Sequence, residues 1–416
     1  MLNNHRYTFY RRVVCGVLLL PLAILFPRNR RKMVFGAWWG RNFSDNPKYF
    51  MQFMTSVAGW KCIWIGDERL RPQVCLIKGA KFARKGSLLA LWHCLTAKYY
   101  VNNVIWMDDI MEVPTCGRVV QINLWHGTAL KRIGGRQYNG NGAVISKDDT
   151  RSSIRRFYGN LVLRLYNYMY PMIAYSSTGS QKNAVVLAQS WPQMFSLCRM
   201  SFAGQPRCDF LLEHATDKSY ILSVKNKFAD MFGISAKKRW YVYLPTWRHD
   251  VSKAYTFSSK DIASRLGGVL NADNAIIIEK QHPKVLQASK MKMPSQPNVF
   301  VISEEQANNI DVQELLLVAD RLITDYSSCY FDYELLKRPI VHFDYDYQNY
   351  IDSDSGVEYD PRDVAGGPVV FTEGELLDVL AQKDDEILAQ KGKLSAELIN
   401  LETGHSRQSL FDMLPK

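Results

Sequence analysis

Apolar and polar positions along this chain fall into short blocks whose spacing switches between strand-like and helix-like periods. Short apolar runs predict strands at Met33–Phe35, Cys62–Ile65, Val74–Ile77, Tyr99–Val101 and Val119–Leu124. Helical spacing lies between them at Pro47–Ser56, where Ser44 or Asp45 would cap the start, and at Ser87–Thr96. Met172–Tyr175 (strand), Thr178–Gln189 (helix) and Met200–Ala203 (strand) continue the series. The charged, helix-prone stretch Asp217–Arg239 then leads into a second series. Its strands fall at Trp240–Leu244, Ala275–Glu279, Val299–Ile302, Arg321–Thr324 and Ile340–Phe343, and its helices at Ser259–Leu266, Asp311–Val318 and Ser327–Leu336. The tail, Glu373–Leu414, reads as helical with a break at Thr403–Gly404. This alternation predicts an α/β protein of two doubly wound, Rossmann-like parallel sheets facing each other, one in residues 33–216 and one in 217–416.

Residues 1–32 follow a different pattern. The apolar stretch from Val13 to Pro27 has Arg6, Arg11 and Arg12 before it and Arg28, Arg30, Arg31 and Lys32 after it. It falls short of the roughly 20 residues that span a bilayer, and Pro21 interrupts it. No small-residue cleavage site follows, which speaks against a removable signal peptide. A short apolar segment with bases on both flanks suits insertion into one leaflet of an anionic membrane; the alternatives are a full span or a core helix.

Composition narrows the partners. With 416 residues and 47% hydrophobic content, the chain has material for two cores. The net charge of +12 fits nucleic acid, an anionic membrane or phosphate-rich substrates. No zinc finger or RNA-binding signature accompanies it, so nucleic acid is not an expected partner. The 8 cysteines form no C-x-x-C pair and read as reduced, buried thiols in a cytosolic compartment. The absence of Gly-x-Gly-x-x-Gly and Walker A sequences disfavours a nicotinamide dehydrogenase or a P-loop ATPase.

The unusual polar clusters sit just after predicted strands, where ligands bind in open α/β sheets. Trp125-His126-Gly127-Thr128 closes one strand; its imidazole suits proton abstraction from an alcohol, and Lys131 and Arg132 nearby suit phosphate. The alternative is a structural histidine. Pro245-Thr246-Trp247-Arg248 ends another strand, and its guanidinium suits a diphosphate, or else stacks on Trp247 at the surface. Lys280 and His282 follow Ala275–Glu279, with Pro283 fixing the backbone beyond. Thr324-Asp325-Tyr326-Ser327-Ser328 joins a strand to a helix, an arrangement that favours phosphate, though Asp and Ser are also ordinary caps. Asp344-Tyr345-Asp346 matches a D-x-D pattern, and Asp108-Asp109 reads as a solvated loop. Neither predicts a metal, and no cofactor is expected.

Taken together, these segments resemble the CDP-glycerol glycerophosphotransferase family of teichoic-acid primases and polymerases. The resemblance is carried, in order, by Ser44–Lys48, Trp125–Lys131 (with Ala129 where proline is usual), Gly204–Asp209, Pro245–Arg248, Lys280–Pro283 and Thr324–Ser328. It continues through Phe331-Asp332 and Arg338-Pro339 to the aromatic run Asp344–Tyr350. Thr403-Gly404-His405-Ser406 departs from the family's closing Asp-Gly-x-x-Ser element, so donor contacts are not carried over there.

The resemblance implies a GT-B fold, with acceptor on the first half and CDP-glycerol on the second. It implies glycerol-phosphate transfer to a hydroxyl of a lipid-linked teichoic-acid or capsule-type polymer, with release of CMP, by a peripheral or monotopic protein on the cytoplasmic face of the bacterial membrane. In that reading His126 is the base, with Asp45 and His282 also catalytic. Thr246, Arg248, Lys280, His282, Asp325, Ser327 and Ser328 hold the donor, and Asn46, Lys131, Arg132 and Arg207 hold the acceptor. Rival readings are a CDP-ribitol transferase, a GT-B nucleotide-sugar glycosyltransferase and a non-catalytic polymer-binding protein.

Overall fold

The computed structural model describes residues 2–105, 107–136, 161, 164–165, 168–170, 172–246, 248, 254–257, 260–281, 298–307, 309–353 and 357–415. Two parallel sheets form the molecule. The first contains β1 (Asn29–Phe35), β2 (Lys61–Gly66), β3 (Ala80–Arg84), β4 (Ala97–Asn102), β5 (Val120–Asn123), β6 (Ile173–Ser177) and β7 (Arg199–Ser201), in the order 3-2-1-4-5-6-7. The second contains β8 (Arg239–Leu244), β9 (Ala275–Glu279), β10 (Val299–Val301), β11 (Arg321–Thr324), β12 (Ile340–Phe343) and β13 (Val369–Val370), in the order 10-9-8-11-12-13.

Parallel strands are covered on both faces, so their sequences run apolar rather than alternating. Along β1, Met33 and Phe35 enter one core with Cys62, Trp64, Tyr99 and Val101, while Val34 enters the opposite core with Ile63, Ile65 and Tyr100. The second sheet repeats the arrangement. Trp240, Val242 and Leu244 lie on one face, Tyr241 and Tyr243 on the other.

In both sheets the strand order reverses beside the first strand, between β1 and β4 and between β8 and β11. Loops diverge there and leave a crevice at the carboxyl ends. The sheets are joined by more than the chain. Tyr49, Leu130, Phe210 and Leu211 of the first half share a core with the second, and Lys48 pairs with Asp311 at 2.5 Å.

Four elements depart from the sequence expectation. Val74–Ile77 is not a strand: Arg71–Cys75 is a short helix with Pro72 in its first turn, and the strand is Ala80–Arg84. The two-residue β13 is too short to leave an apolar signature. The final helix, Ser406–Asp412, returns to the first half, where Leu410 and Leu414 join its core, so the tail does not end on the second domain.

The fourth is the N-terminal segment, which forms a helix, Leu2–Leu25. No helix among the described residues is long and apolar enough to cross a membrane. Its bases are not all free for one: Arg12 pairs with Asp108 and Glu112, Arg28 donates to the carbonyls of Cys94 and Ala97, and Lys32 donates to Thr96.

Candidate active site

The crevices of the two sheets face each other. Trp125 follows β5 with a left-handed backbone (φ 50), which turns the chain and presents His126 to the cleft. The imidazole Nδ1 lies 2.9 Å from the Asn103 carbonyl. A carbonyl only accepts, so Nδ1 carries the proton and Nε2 keeps its lone pair. Burial pushes the imidazole below its ordinary value of 6.5; the Asn103 bond and Asp45 oppose that, and Arg207 adds to it. At neutral pH the ring is therefore an uncharged proton acceptor. Trp38 packs on it, with ring centroids 4.8 Å apart.

Gly127, the next residue, lies against the second half. A Cβ added there would meet the Ser328 Oγ at 2.5 Å and its Cβ at 3.3 Å. Glycine thus lets the histidine loop touch the Ser327–Ser328 turn. That turn leads from β11 into the short helix Cys329–Glu334, where Ser328 is the N-cap residue without a side-chain capping bond. Ser327 Oγ donates to the Cys329 thiol at 3.3 Å. Lys280, after β9, lies where burial lowers its ammonium, with the Cys329 and Asp311 side chains opposing that shift. Thr246 is buried, and its hydroxyl has no hydrogen-bond partner among the described residues. His282 lies outside the described residues.

Arg248 and Asp325 are arranged otherwise than expected. The guanidinium is buried, with Nε and Nη2 on Asp346 at 2.7 and 2.9 Å, Nη2 also on Asp325 at 2.9 Å, and Nη1 on the Thr246 carbonyl at 2.9 Å. Four of its five N–H groups are thus committed to protein acceptors, which corrects the picture of an arginine offered bidentately to a diphosphate. Asp325 also accepts from the Thr246 N–H at 2.7 Å, tying the β8 and β11 loops together. The D-x-D pattern supplies one end of this network. Asp346 holds Arg248, while burial, then the charge of Asp325, pushes the Asp344 carboxyl well above the usual range.

Asn46 and Arg207, expected to meet the acceptor, are instead framework. Asn46 is 0% exposed and donates to the Leu124 and Trp125 carbonyls at 2.9 and 3.2 Å, holding the histidine loop from below. Arg207 is 3% exposed and bridges the halves, with Asp45 at 3.0 Å on one side and Asp332 at 2.7 and 3.0 Å on the other. Asp45 makes no hydrogen bond to His126 among the described residues; it reaches it through Asn103, whose Nδ2 donates to Asp45 at 2.8 Å. Lys131 forms an isolated bridge with Val357 and lies 5.6 Å from the Tyr350 ring, while Arg132 is exposed.

Three further residues matter that the sequence reading missed or misplaced. Asn103 follows β4 as the other clusters follow their strands, so the same rule would have found it. Asp109 was expected in a solvated loop and is 0% exposed, because the Trp38–Gly40 turn folds over it. Glu402, in the segment returning to the first half, is half-buried against Gly179 and Gly204 and accepts from the Gln205 N–H at 2.9 Å. Burial pushes its carboxyl up to about 8.

Comparison with known proteins gives a consistent result. The family model for CDP-glycerol:poly(glycerophosphate) glycerophosphotransferase matches residues 18–416. A teichoic acid poly(glycerol phosphate) polymerase of Bacillus spizizenii is 26% identical over 421 residues, covering 97% of this chain and 98% of the relative. A teichoic acid glycerol-phosphate transferase of Staphylococcus aureus is 25% identical over 398 residues, 93% of this chain and 94% of the relative. Among solved structures, the wall teichoic acid polymerase TagF superposes with a TM-score of 0.70 at 22% identity, covering 98% of this chain and 97% of that one, which supports the facing-sheet GT-B-like fold.

Proposed function

This chain belongs to the CDP-glycerol:poly(glycerophosphate) glycerophosphotransferase family, and from that premise we propose how its cleft moves glycerol phosphate from CDP-glycerol to an acceptor hydroxyl. His126 Nε2 takes the proton of the acceptor hydroxyl. The oxygen attacks the phosphorus that bears glycerol, the bond from that phosphorus to the bridging oxygen breaks, and CMP leaves with the electron pair. Ser327, Ser328, Lys280 and the Thr246 hydroxyl bind the diphosphate and offset the charge that develops on CMP, as does His282. Arg248 and Asp325 hold the two donor loops in register. Lys131 and Arg132 meet phosphates of the acceptor. Such a reaction depends on positioning and electrostatics rather than on a covalent intermediate.

The observation that carries this reading is the approach of Gly127 to Ser328, which sets the loop of the proton acceptor against the donor-side turn. The test is CMP release by purified protein given CDP-glycerol and a glycerol-phosphate-primed acceptor. His126→Ala should lower turnover by roughly 10²–10⁴, the usual contribution of a general base. Turnover near that of the wild type would overturn the assignment of the base. Running CDP-ribitol and a nucleotide sugar alongside separates the rival donors by the mass of the product.

The same reading places the protein on the cytoplasmic face of the membrane. From Val13 to Leu25 the N-terminal helix carries apolar side chains on every face. Gly16 and Ala23 face inward, with Met169 and Tyr170 in the same core, while Val14, Leu18, Leu22 and Leu25 form an exposed stripe. Leu88, Leu89 and Trp92 extend that surface, Trp92 packing edge-on against Phe26 at 5.3 Å. Arg30 and Arg31 remain exposed for anionic headgroups.

A further inference from the structure

His126 is aimed by a carbonyl, and a carbonyl is only as well placed as its loop. The loop after β4 is held by Asp109. Its Oδ2 accepts from the N–H groups of Asn103 and Val104, both at 2.9 Å, and its Oδ1 accepts from the Trp39 N–H at 2.6 Å. One buried carboxylate therefore joins two loops. The first carries the Asn103 carbonyl on which the His126 Nδ1 rests. The second carries Trp38, whose ring packs on the imidazole and whose N–H donates to the Asn103 side chain at 3.1 Å.

That second loop does not take its shape unaided. Trp38 and Trp39 both have left-handed backbones, φ 50 and 60, which side-chain-bearing residues adopt only at a conformational cost. Lys85 supports the same turn by donating to the Trp39 carbonyl at 2.9 Å. A Cβ at Gly36 would collide with the Asp109 carbonyl oxygen, so the glycine admits this close packing.

We propose that Asp109 is a positioning residue for the transfer reaction: it fixes the Asn103 carbonyl and the Trp38 ring, and through them the direction in which His126 presents Nε2. The proposal rests on His126 being the base. Asp109 touches neither donor nor acceptor, so its loss should slow turnover without weakening donor binding.

Asp109→Asn tests this. An amide offers one acceptor oxygen and turns two donors toward N–H groups, so at least one of the three bonds is lost. The expected result is a kcat lowered roughly tenfold to a hundredfold, the usual scale for a small misplacement of a catalytic group, with KM for CDP-glycerol within about twofold. The acid limb of kcat/KM should also move to lower pH. The Asn103 bond stabilises the charged imidazolium, so loosening it lowers the pKa; the charged groups facing the ring, Asp45 and Arg207, are unchanged. The charged group facing Asp109 itself is Lys85, whose ammonium is also unaltered.

Should this variant fail to fold, Asp109→Glu keeps the charge, displaces it by one methylene and is assayed in the same way. A folded variant with wild-type kcat, or one whose kcat falls only as KM rises and whose acid limb stays put, overturns the proposal. His126→Ala in the same assay keeps the two claims apart. If it is inactive while Asp109→Asn is normal, only the positioning role fails; if it is active, the base assignment fails.

Discussion

At the scale of single residues, the cleft separates groups left available for chemistry from groups consumed by structure. His126 is partly exposed and has one ring nitrogen committed, whereas Arg207 is sealed between Asp45 and Asp332. Burial disfavours the charge of that guanidinium, but Asp332 and Asp45 outweigh it and hold the group charged. Replacing Arg207 with alanine leaves two carboxylates buried without their cation. The expected loss is about 3–5 kcal/mol, read as a lower urea midpoint at an unchanged slope; a loss under about 1 kcal/mol would show the pair to be dispensable. Residue type alone could not have sorted these roles. Arg248 looks like a diphosphate ligand and Arg207 like an acceptor contact in sequence because their partners, Asp346 and Asp332, lie 98 and 125 residues away. Asp109 looked solvated because its three donors come from two other segments.

At the scale of elements, most strands were legible because parallel strands must be apolar on both faces, and the central ones carry that mark. The misplaced third strand shows the limit. Val74–Ile77 is as apolar as a strand, but Pro72 starts a helix there, and the half-polar Ala80–Arg84 takes the edge position instead. The N-terminal segment was legible as apolar but not in its contacts, since Arg12, Arg28 and Lys32 turn inward. Its exposed stripe carries a prediction. Leu18 and Leu25 are 72% and 76% exposed, and each would contribute about 1.5–3 kcal/mol on entering lipid. Substituting both with aspartate should weaken sedimentation with anionic vesicles at least roughly tenfold, while CMP release in detergent stays at the wild-type level. Unchanged vesicle binding would mean that this stripe does not dock.

At the scale of the whole molecule, the architecture brings two switch-point crevices together and locks them. The helices Asp45–Ser56 and Pro206–His214 carry Tyr49, Phe210 and Leu211 into the core of the second half, and Lys48 adds an ion pair with Asp311. The returning tail closes the arrangement, with Glu402 seated between Gly179 and Gly204 and the last helix on the first sheet. In the proposed reaction function follows from that closure, because His126 stands on the first half and the Ser327–Ser328 turn on the second. The most direct test is a crystal structure of His126→Ala soaked with CDP-glycerol. The expected result is a diphosphate resting on Ser327 and Ser328, with its glycerol-bearing phosphorus facing the space left by the imidazole. A diphosphate bound elsewhere, with that phosphorus turned away from Gly127, would contradict the account.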